Sequence, residues 1–301
     1  MKVVYRIANI KKSPRAVVAL GVFDGVHLAH RRILQDLVKK ARVIKGEGVV
    51  VTFWPHPQKK EMLYSLEHRL KLISDIGIDT CIVIKFNKQF SLIPAERFIT
   101  DILVKRIGAK YIYVGKNFRF GYAAEGGPLL LARLASVYHL KLRLYEVMKI
   151  KGRRISSTHI RKLITTGNLK LASLLLGNPV SVLGTVVRGD SLAGGWGLPT
   201  ANIDPHHEVS PPSGVYAAKV RLNKMQFSAI CYVGTKPTIT KQKKKKIEVH
   251  ILGFNKKIYG KTLQIEFMQK IRQEKKFAST EALVKQIKKD ILRSKKILSL
   301  H

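Results

Sequence analysis

In the first half of the chain, apolar positions fall into short, nearly unbroken runs separated by stretches of helical period. Residues 17–22, 48–53, 81–86, 111–114 and 142–147 predict strands. Their continuous apolar character predicts a parallel sheet with helices on both faces. Residues 30–44 set Ile33, Leu34, Leu37, Val38 and Ala41 on one stripe with Arg and Lys opposite, and 66–75, 94–107 and 128–138 predict further helices. Pro94 suits a first helical turn, where its missing N–H is no loss. Strand and helix in alternation predict a doubly wound α/β domain.

The pattern changes after Gly177-Asn178-Pro179. Residues 182–187, 215–222, 228–233, 247–254 and 263–267 predict short strands separated by Gly, Pro and Asn turns, with no helical period between them. An antiparallel barrel or sandwich fits this spacing. The last helix, 279–298, opens on Ser279-Thr280-Glu281 and spaces Leu283, Ile287 and Ile291 by four residues, so it is expected to pack on the barrel. The 301 residues suffice for two cores. The expected domains are 1–177 and 178–301.

Composition excludes several classes. With 46% hydrophobic residues, 22 Gly and 11 Pro, the chain is neither disordered nor collagen-like. No run reaches the ~18 to 20 apolar residues of a membrane span, and the apolar run 16–23 stops at Asp24, so neither a span nor a signal is expected. Cys81 and Cys231 have no neighbour at metal-ligand spacing and read as reduced core thiols of a cytoplasmic protein. The 56 Lys and Arg against 19 Asp and Glu give +37. Such a field attracts nucleic acid, anionic membrane or phosphorylated metabolites. Equally, scattered lysines can coat solvated helix faces, with the run 243–246 as a basic loop.

Position adds chemistry to charge. Gly21-Val22-Phe23-Asp24-Gly25-Val26-His27-Leu28-Ala29-His30 follows the first predicted strand and leads into a helix. Ligands of open α/β sheets bind at the carboxyl ends of strands, and helix N-termini offer unpaired N–H groups to phosphate. His27 and His30, three apart, either donate hydrogen bonds to phosphate or are ordinary surface or packing histidines. Ile155-Ser156-Ser157-Thr158-His159-Ile160-Arg161 opens another helix, with capping hydroxyls and a forked guanidinium one turn in. In the second half, Gly195-Trp196-Gly197-Leu198-Pro199-Thr200-Ala201-Asn202 puts two hard oxygen donors, Thr200 and Asn202, on alternate positions of an extended segment. Glu248, flanked by Ile247 and Val249, either accepts a hydroxyl proton in a cleft or faces solvent beside the lysines.

Taken together, the His-x-x-His turn and Ser-Ser-Thr-x-Ile-Arg resemble the nucleotidyltransferase superfamily. Residues 20–30, Val51-Thr52-Phe53-Trp54-Pro55-His56-Pro57, Val114-Gly115-Lys116-Asn117-Phe118-Arg119-Phe120-Gly121 and 155–161 resemble the adenylyltransferase module of the bacterial bifunctional riboflavin kinase/FAD synthetase family. Pro199-Thr200-Ala201-Asn202, with the words through Lys275-Lys276-Phe277, resembles its riboflavin kinase module, and the likeness covers almost the whole chain.

The resemblance implies a nucleotidyltransferase-like α/β domain followed by a small antiparallel β-barrel with a C-terminal helix. It implies that riboflavin plus ATP gives FMN, and that FMN plus a second ATP gives FAD and pyrophosphate. By the same resemblance, Gly21, Phe23, Asp24, His27, His30, Asn117, Ser157, Thr158 and Arg161 would bind ATP. His27 and His30 would act on its phosphates in the transition state, and Asn117 and Arg119 would hold the flavin. Thr200 and Asn202 would bind magnesium and ATP phosphates, and Glu248 would bind riboflavin and activate its 5′-hydroxyl.

Three departures from the family pattern stand out. Ala29 replaces a Gly, Trp54 stands where an acidic residue is common, and residues 193–197 lack the Arg of Gly-Arg-x-Leu-Gly, with Arg188 or a loop lysine as a substitute. Two other readings use the same residues: a riboflavin kinase with a weakened adenylyltransferase module, and a basic nucleic-acid-binding protein on an enzyme-like fold. No helix-turn-helix, zinc-finger or aromatic RNA-binding word accompanies the charge, so nucleic acid is not the expected main partner. No dinucleotide or P-loop glycine word occurs either.

Overall fold

The computed structural model describes residues 1–58, 62–188, 199–206, 208–236 and 244–299. By contact it divides into two units, Met1–Met62 with Leu66–Ser157, and Leu63–Ser65 with Thr158–His301.

The first unit alternates β1 (Lys2–Val4), β2 (Ala16–Leu20), α1 (Leu28–Val43), β3 (Glu47–Trp54), α2 (Leu66–Asp75) and β4 (Thr80–Lys85). Two short helices follow, α3 (Lys88–Ser91) and α4 (Ala95–Arg97), and α4 runs into a π-wound stretch, Phe98–Ile107. Next come β5 (Ala109–Gly115), α5 (Pro128–Val137), β6 (Lys141–Tyr145) and a small hairpin, β7 (Lys149–Ile150) with β8 (Arg153–Arg154). Six strands form one parallel sheet in the order β1-β4-β3-β2-β5-β6.

The sheet is parallel because its strands are apolar on both faces: β2 is buried at every position and β3 at six of eight. Val18, Leu20, Val51, Ile82, Ile112 and Val114 form a core with Phe98, Ile102 and Leu103. Over 98–107, where an ordinary helix is expected, the wider winding keeps Phe98, Ile99, Ile102, Leu103 and Ile107 buried. Gly108 ends it at φ 78°, a conformation that favours glycine. Strand β1 escapes the sequence pattern because it is three residues long, yet it pairs in parallel with β4.

The second unit contains α6 (from Thr158 of Ser157–Thr165), α7 (Leu169–Leu176), β9 (Ser181–Val187), β10 (Ala201–Asp204), β11 (Gly214–Leu222), β12 (Met225–Lys236), β13 (Lys244–Ile251), β14 (Thr262–Arg272) and α8 (Thr280–Leu298). The strands close into an antiparallel barrel, β10-β13-β12-β11-β14-β9, because β9 pairs with both β10 and β14. Closure leaves no free edge, which a sandwich would retain. Glu208, a buried carboxylate, accepts N–H groups from Ser65 at 2.8 Å and Leu183 at 2.9 Å.

Helix α8 is capped by the Ser279 side chain, which accepts from Ala282 N–H. It buries Ile297 and Leu298 against Val215, Ala217, Ile230 and Ile271. Its one buried acid, Asp290, pairs with Arg272 at 2.9 Å and accepts from Gln286 at 2.9 Å. Asp290→Ala leaves Arg272 with no carboxylate in a largely buried place. The expected loss is roughly 3 kcal/mol of barrel stability, read as a lower urea midpoint. An unchanged midpoint would show that the pair does not hold the helix.

Candidate active sites

Sheet order reverses between β2 and β5, neighbours that pair in parallel through Ala19 and Tyr113. Open α/β sheets bind ligands at such a switch, outside the carboxyl ends of the strands. Leu20 and Gly115 end the two strands there. The turn after β2 is strained, with Phe23 at φ 53°, Gly25 at 83° and Val26 at 40°. For Phe and Val such angles are costly and persist only where neighbours fix them. Several do: Val22 O accepts the Thr52 hydroxyl at 2.9 Å, Phe23 O accepts Val26 N–H at 3.1 Å, and Asp24 O accepts the Ser157 hydroxyl at 2.9 Å. Phe23 folds back over Gly21, where an added Cβ would meet its ring at 3.2 Å.

His27 stands outside α1 as its N-cap, and His30 lies in the helix's first turn. Its Nδ1 accepts from His30 N–H at 3.4 Å, so the neutral ring carries its proton on Nε2 as a donor. The two imidazoles stack, centroids 3.6 Å apart and planes 13° apart, with the Phe23 ring edge-on to His30 at 5.2 Å. His30 Nδ1 is buried without a hydrogen-bond partner.

Burial lowers the His27 pKa to about 4. Burial, then the nearby charges of His27 and Arg69, push His30 well below its ordinary value. Both rings are therefore neutral at physiological pH. An unfolded imidazole protonates near pH 6.5, so the unfolded state binds more protons between about pH 6.5 and 4. Stability is full above this window and falls as pH drops through it, by roughly 2 kcal/mol at about pH 5 for His27 alone. Urea midpoints at about pH 7.5 and 5 should show a smaller drop for His27→Asn than for the native chain. Equal drops would contradict the neutral, buried ring.

Asn117 is exposed in the turn after β5, which Phe118 N–H closes onto Gly115 O at 2.9 Å. Arg119 is exposed, and its guanidinium lies over Gly127, where a Cβ would meet Nη1 at 2.2 Å. Gly121, at φ 78°, passes so close to Ala95 that a Cβ would come within 2.6 Å. Beside this turn runs a ladder of rings, Phe118, Phe120, Phe98, Phe90, Phe86 and Phe53, in successive contacts of 5.7 to 6.3 Å. It forms an apolar wall that the sequence motifs alone did not single out. Helix α6 begins at Ser157, with Thr158 exposed beside it and Arg161 half-buried one turn on. Ala29 is half-buried in the first turn of α1, and Trp54 ends β3 with its ring 5.6 Å from Arg69.

The barrel carries the other candidate site. Asn202 on β10 lies directly across from Glu248 on β13, and Glu248 directly across from Tyr232 on β12. Ile247 and Val249 fill the interior, so Glu248 projects from the opposite face, partly exposed and paired with Lys246 at 2.5 Å. His250 donates from Nδ1 to Pro199 O at 2.8 Å and thereby anchors the residue before Thr200. Thr200 is half-buried, and Arg188 is exposed just beyond β9. The glycine-rich run 189–198 and Lys243 lie outside the described residues. The sequence reading missed Tyr232 and His250. Tyr232 donates its hydroxyl to Glu274, and its pKa is raised by burial and then by that carboxylate. The available signal was strand alternation, which puts His250 on the same face as Glu248.

Two family matches fall on these two structures: FAD synthetase over residues 9–159 and riboflavin kinase over 176–298. The bifunctional riboflavin kinase/FMN adenylyltransferase of Escherichia coli strain K12 is 35% identical over 310 residues, covering 100% of this chain and 99% of that one. The chain belongs to the bifunctional riboflavin kinase/FMN adenylyltransferase family. Another relative of the same name, from Bacillus subtilis strain 168, is 31% identical over 93% of this chain and 92% of its own. A crystal structure described as a macrolide-efflux protein from Streptococcus pneumoniae shares the fold, with TM-score 0.83 and 28% identity over 97% of this chain and 98% of that one. Among the described residues, no helix is long and apolar enough to cross a membrane. In this bifunctional family member, the synthetase match ends within α6 and the kinase match begins at the end of α7.

Proposed function

We propose that the chain spends two ATP molecules at two sites, adenylylating FMN at the β2–α1 turn and phosphorylating riboflavin on the outer face of the barrel. The chain works in flavin cofactor biosynthesis as a kinase and a nucleotidyltransferase, with riboflavin, FMN, FAD and ATP as substrates and products. Assigning residues to each step rests on geometry. The observation that carries it is the stacked, neutral His27–His30 pair, with His27 buried and His30 half-buried, beside a helix N-terminus at the switch point.

In adenylyl transfer, an FMN phosphate oxygen attacks the α-phosphorus of ATP. The bond from that phosphorus to the bridging oxygen breaks, and pyrophosphate leaves. Imidazole N–H groups and the first turn of α1 face the charge that develops, and no nucleophilic side chain is required. Phe23, the Gly21 turn and Asp24 shape the backbone around ATP. Ser157, Thr158 and Arg161 supply hydroxyl and guanidinium donors to its triphosphate. Asn117 and Arg119, beside the phenylalanine ladder, suit the flavin and its phosphate.

In the kinase step, Glu248 accepts the riboflavin 5′-hydroxyl proton as that oxygen attacks the γ-phosphorus and ADP leaves. Thr200 and Asn202 would hold magnesium. Their neutral, hard oxygens on alternate positions of one extended segment fit an ion that keeps its remaining ligands from water and phosphate. Among the described residues, no cluster of His, Cys, Asp or Glu offers a dedicated cage. When bound, the ion neutralises phosphate charge.

We assign residues 1–177 to adenylyl transfer and 178–301 to the kinase. Residence in the cytoplasm is supported by two free, buried thiols, Cys81 and Cys231. Incubation with riboflavin, ATP and magnesium, followed by chromatography of flavins, should show FMN and then FAD. Absence of FMN overturns the kinase assignment. FMN that never proceeds to FAD favours the reading with a weakened adenylyl site at Ala29 and Trp54.

A further inference from the structure

Helix α2 turns an arginine inward. Arg69 is 0% exposed and heads the fully buried side chains in size. Its Nη1 donates to Val22 O at 2.5 Å and to Thr52 Oγ1 at 3.2 Å, while Nε and Nη2 are buried with no hydrogen-bond partner. Burying a guanidinium costs several kcal/mol unless something negative answers it. Packing alone is served better by leucine or methionine.

Its surroundings show what it answers. Val22 O is the last carbonyl before the strained stretch Phe23–Val26, and Arg69 and Thr52 both hold it. Asp24, in that turn, supports the guanidinium charge, and the guanidinium field reaches His30. The guanidinium also lies over the Trp54 ring, 5.6 Å from its centroid. The histidines are neutral and bring no formal charge to the phosphates, whereas this guanidinium, held on Val22 O, is a fixed cation at the base of the strained turn.

We propose that Arg69 is a positioning residue for adenylyl transfer: its Nη1 clamps the Val22 carbonyl that leads into the strained turn, and its positive charge supports the histidine pair where the α-phosphate gathers negative charge. The inference rests on assigning that step to the β2–α1 turn.

Full-length Arg69→Gln, Arg69→Lys and Thr52→Val are compared with the native chain for FAD formation from FMN. Riboflavin phosphorylation by the same preparations reports folding of the chain. Arg69→Gln should lower adenylyl-transfer kcat about 100-fold while KM for ATP changes much less, the pattern of a group that acts in the transition state. Arg69→Lys keeps the charge and should recover to within about 10-fold of native, and Thr52→Val, which keeps the cation but loses one brace, should fall about 10-fold. Added methylguanidine should speed Arg69→Ala. Native adenylylation in Arg69→Gln overturns the proposal. So do equally slow Lys and Gln variants with no methylguanidine rescue, since packing and not charge then matters. If His30→Ala abolishes FAD formation and Arg69→Gln does not, only this inference fails; if His30→Ala has no effect, the site assignment fails first.

Discussion

Replacing His30 by Ala lowers FAD formation from supplied FMN by about 100- to 1,000-fold, as loss of one transition-state donor does elsewhere, and leaves riboflavin phosphorylation within about two-fold. His30 lies in the first turn of α1 with its ring stacked 3.6 Å from His27, so its loss removes a donor and one wall of the pair. The cap on the helix survives, because His27 Nδ1 accepts from the backbone N–H of residue 30 and not from its side chain. The effect therefore falls on chemistry more than on folding. Pyrophosphate release with FMN and ATP measures it. Native release in the variant would remove the histidine pair from the reaction.

Replacing Glu248 by Ala lowers FMN formation by about 100- to 10,000-fold, the range for loss of a positioned base, and spares FAD formation from supplied FMN. The carboxylate faces away from the barrel core and opposite Asn202, two positions from Thr200, so substrate oxygen, metal and base can meet on one face. Its ion pair with Lys246 raises the competing role of a surface strand residue. Two further variants separate these roles. Glu248→Gln keeps shape but cannot accept a proton and should be as slow as Ala. Lys246→Met removes the pair and should leave FMN formation within about 10-fold of native, since the lysine accepts no proton in the step. A fast Gln variant with a slow Met variant would reverse the assignment.

Much of this was legible in the chain because parallel strands announce themselves as unbroken apolar runs. Predicted strand 81–86 and observed Thr80–Lys85 differ by one residue at each end, and helix 66–75 coincides with Leu66–Asp75. Elements supported mainly by their partners were not legible. Strand β10 has four residues, Ala201–Asp204, and is a strand because β9 and β13 flank it. The π winding of Phe98–Ile107 leaves no trace in a helical period, since the same apolar residues satisfy either winding.

The site divides in the same way. Both histidines, Ser157, Asn202 and Glu248 stood out by type and spacing, and Asp24 only through the family resemblance. Arg69 did not, because a charged side chain on an amphipathic helix reads as solvated. The signal was its place on the stripe of Leu66, Leu72 and Ile73, the face that packs inward. The stacking of His27 on His30 was also beyond the pattern, since it depends on His27 lying outside the helix as a cap.

The central claim, that each ATP surrenders a different phosphorus atom at a different site, is tested by label transfer in the full-length chain. With riboflavin and magnesium, ATP labelled at the γ-phosphorus should label FMN, and ATP labelled at the α-phosphorus should label FAD but never FMN. In His30→Ala the γ-label should still reach FMN while the α-label enters no flavin. With supplied FMN, Glu248→Ala should still pass the α-label to FAD; if folded Glu248→Ala does not, or if folded His30→Ala loses the γ-label as well or still passes the α-label, the two-site account is wrong.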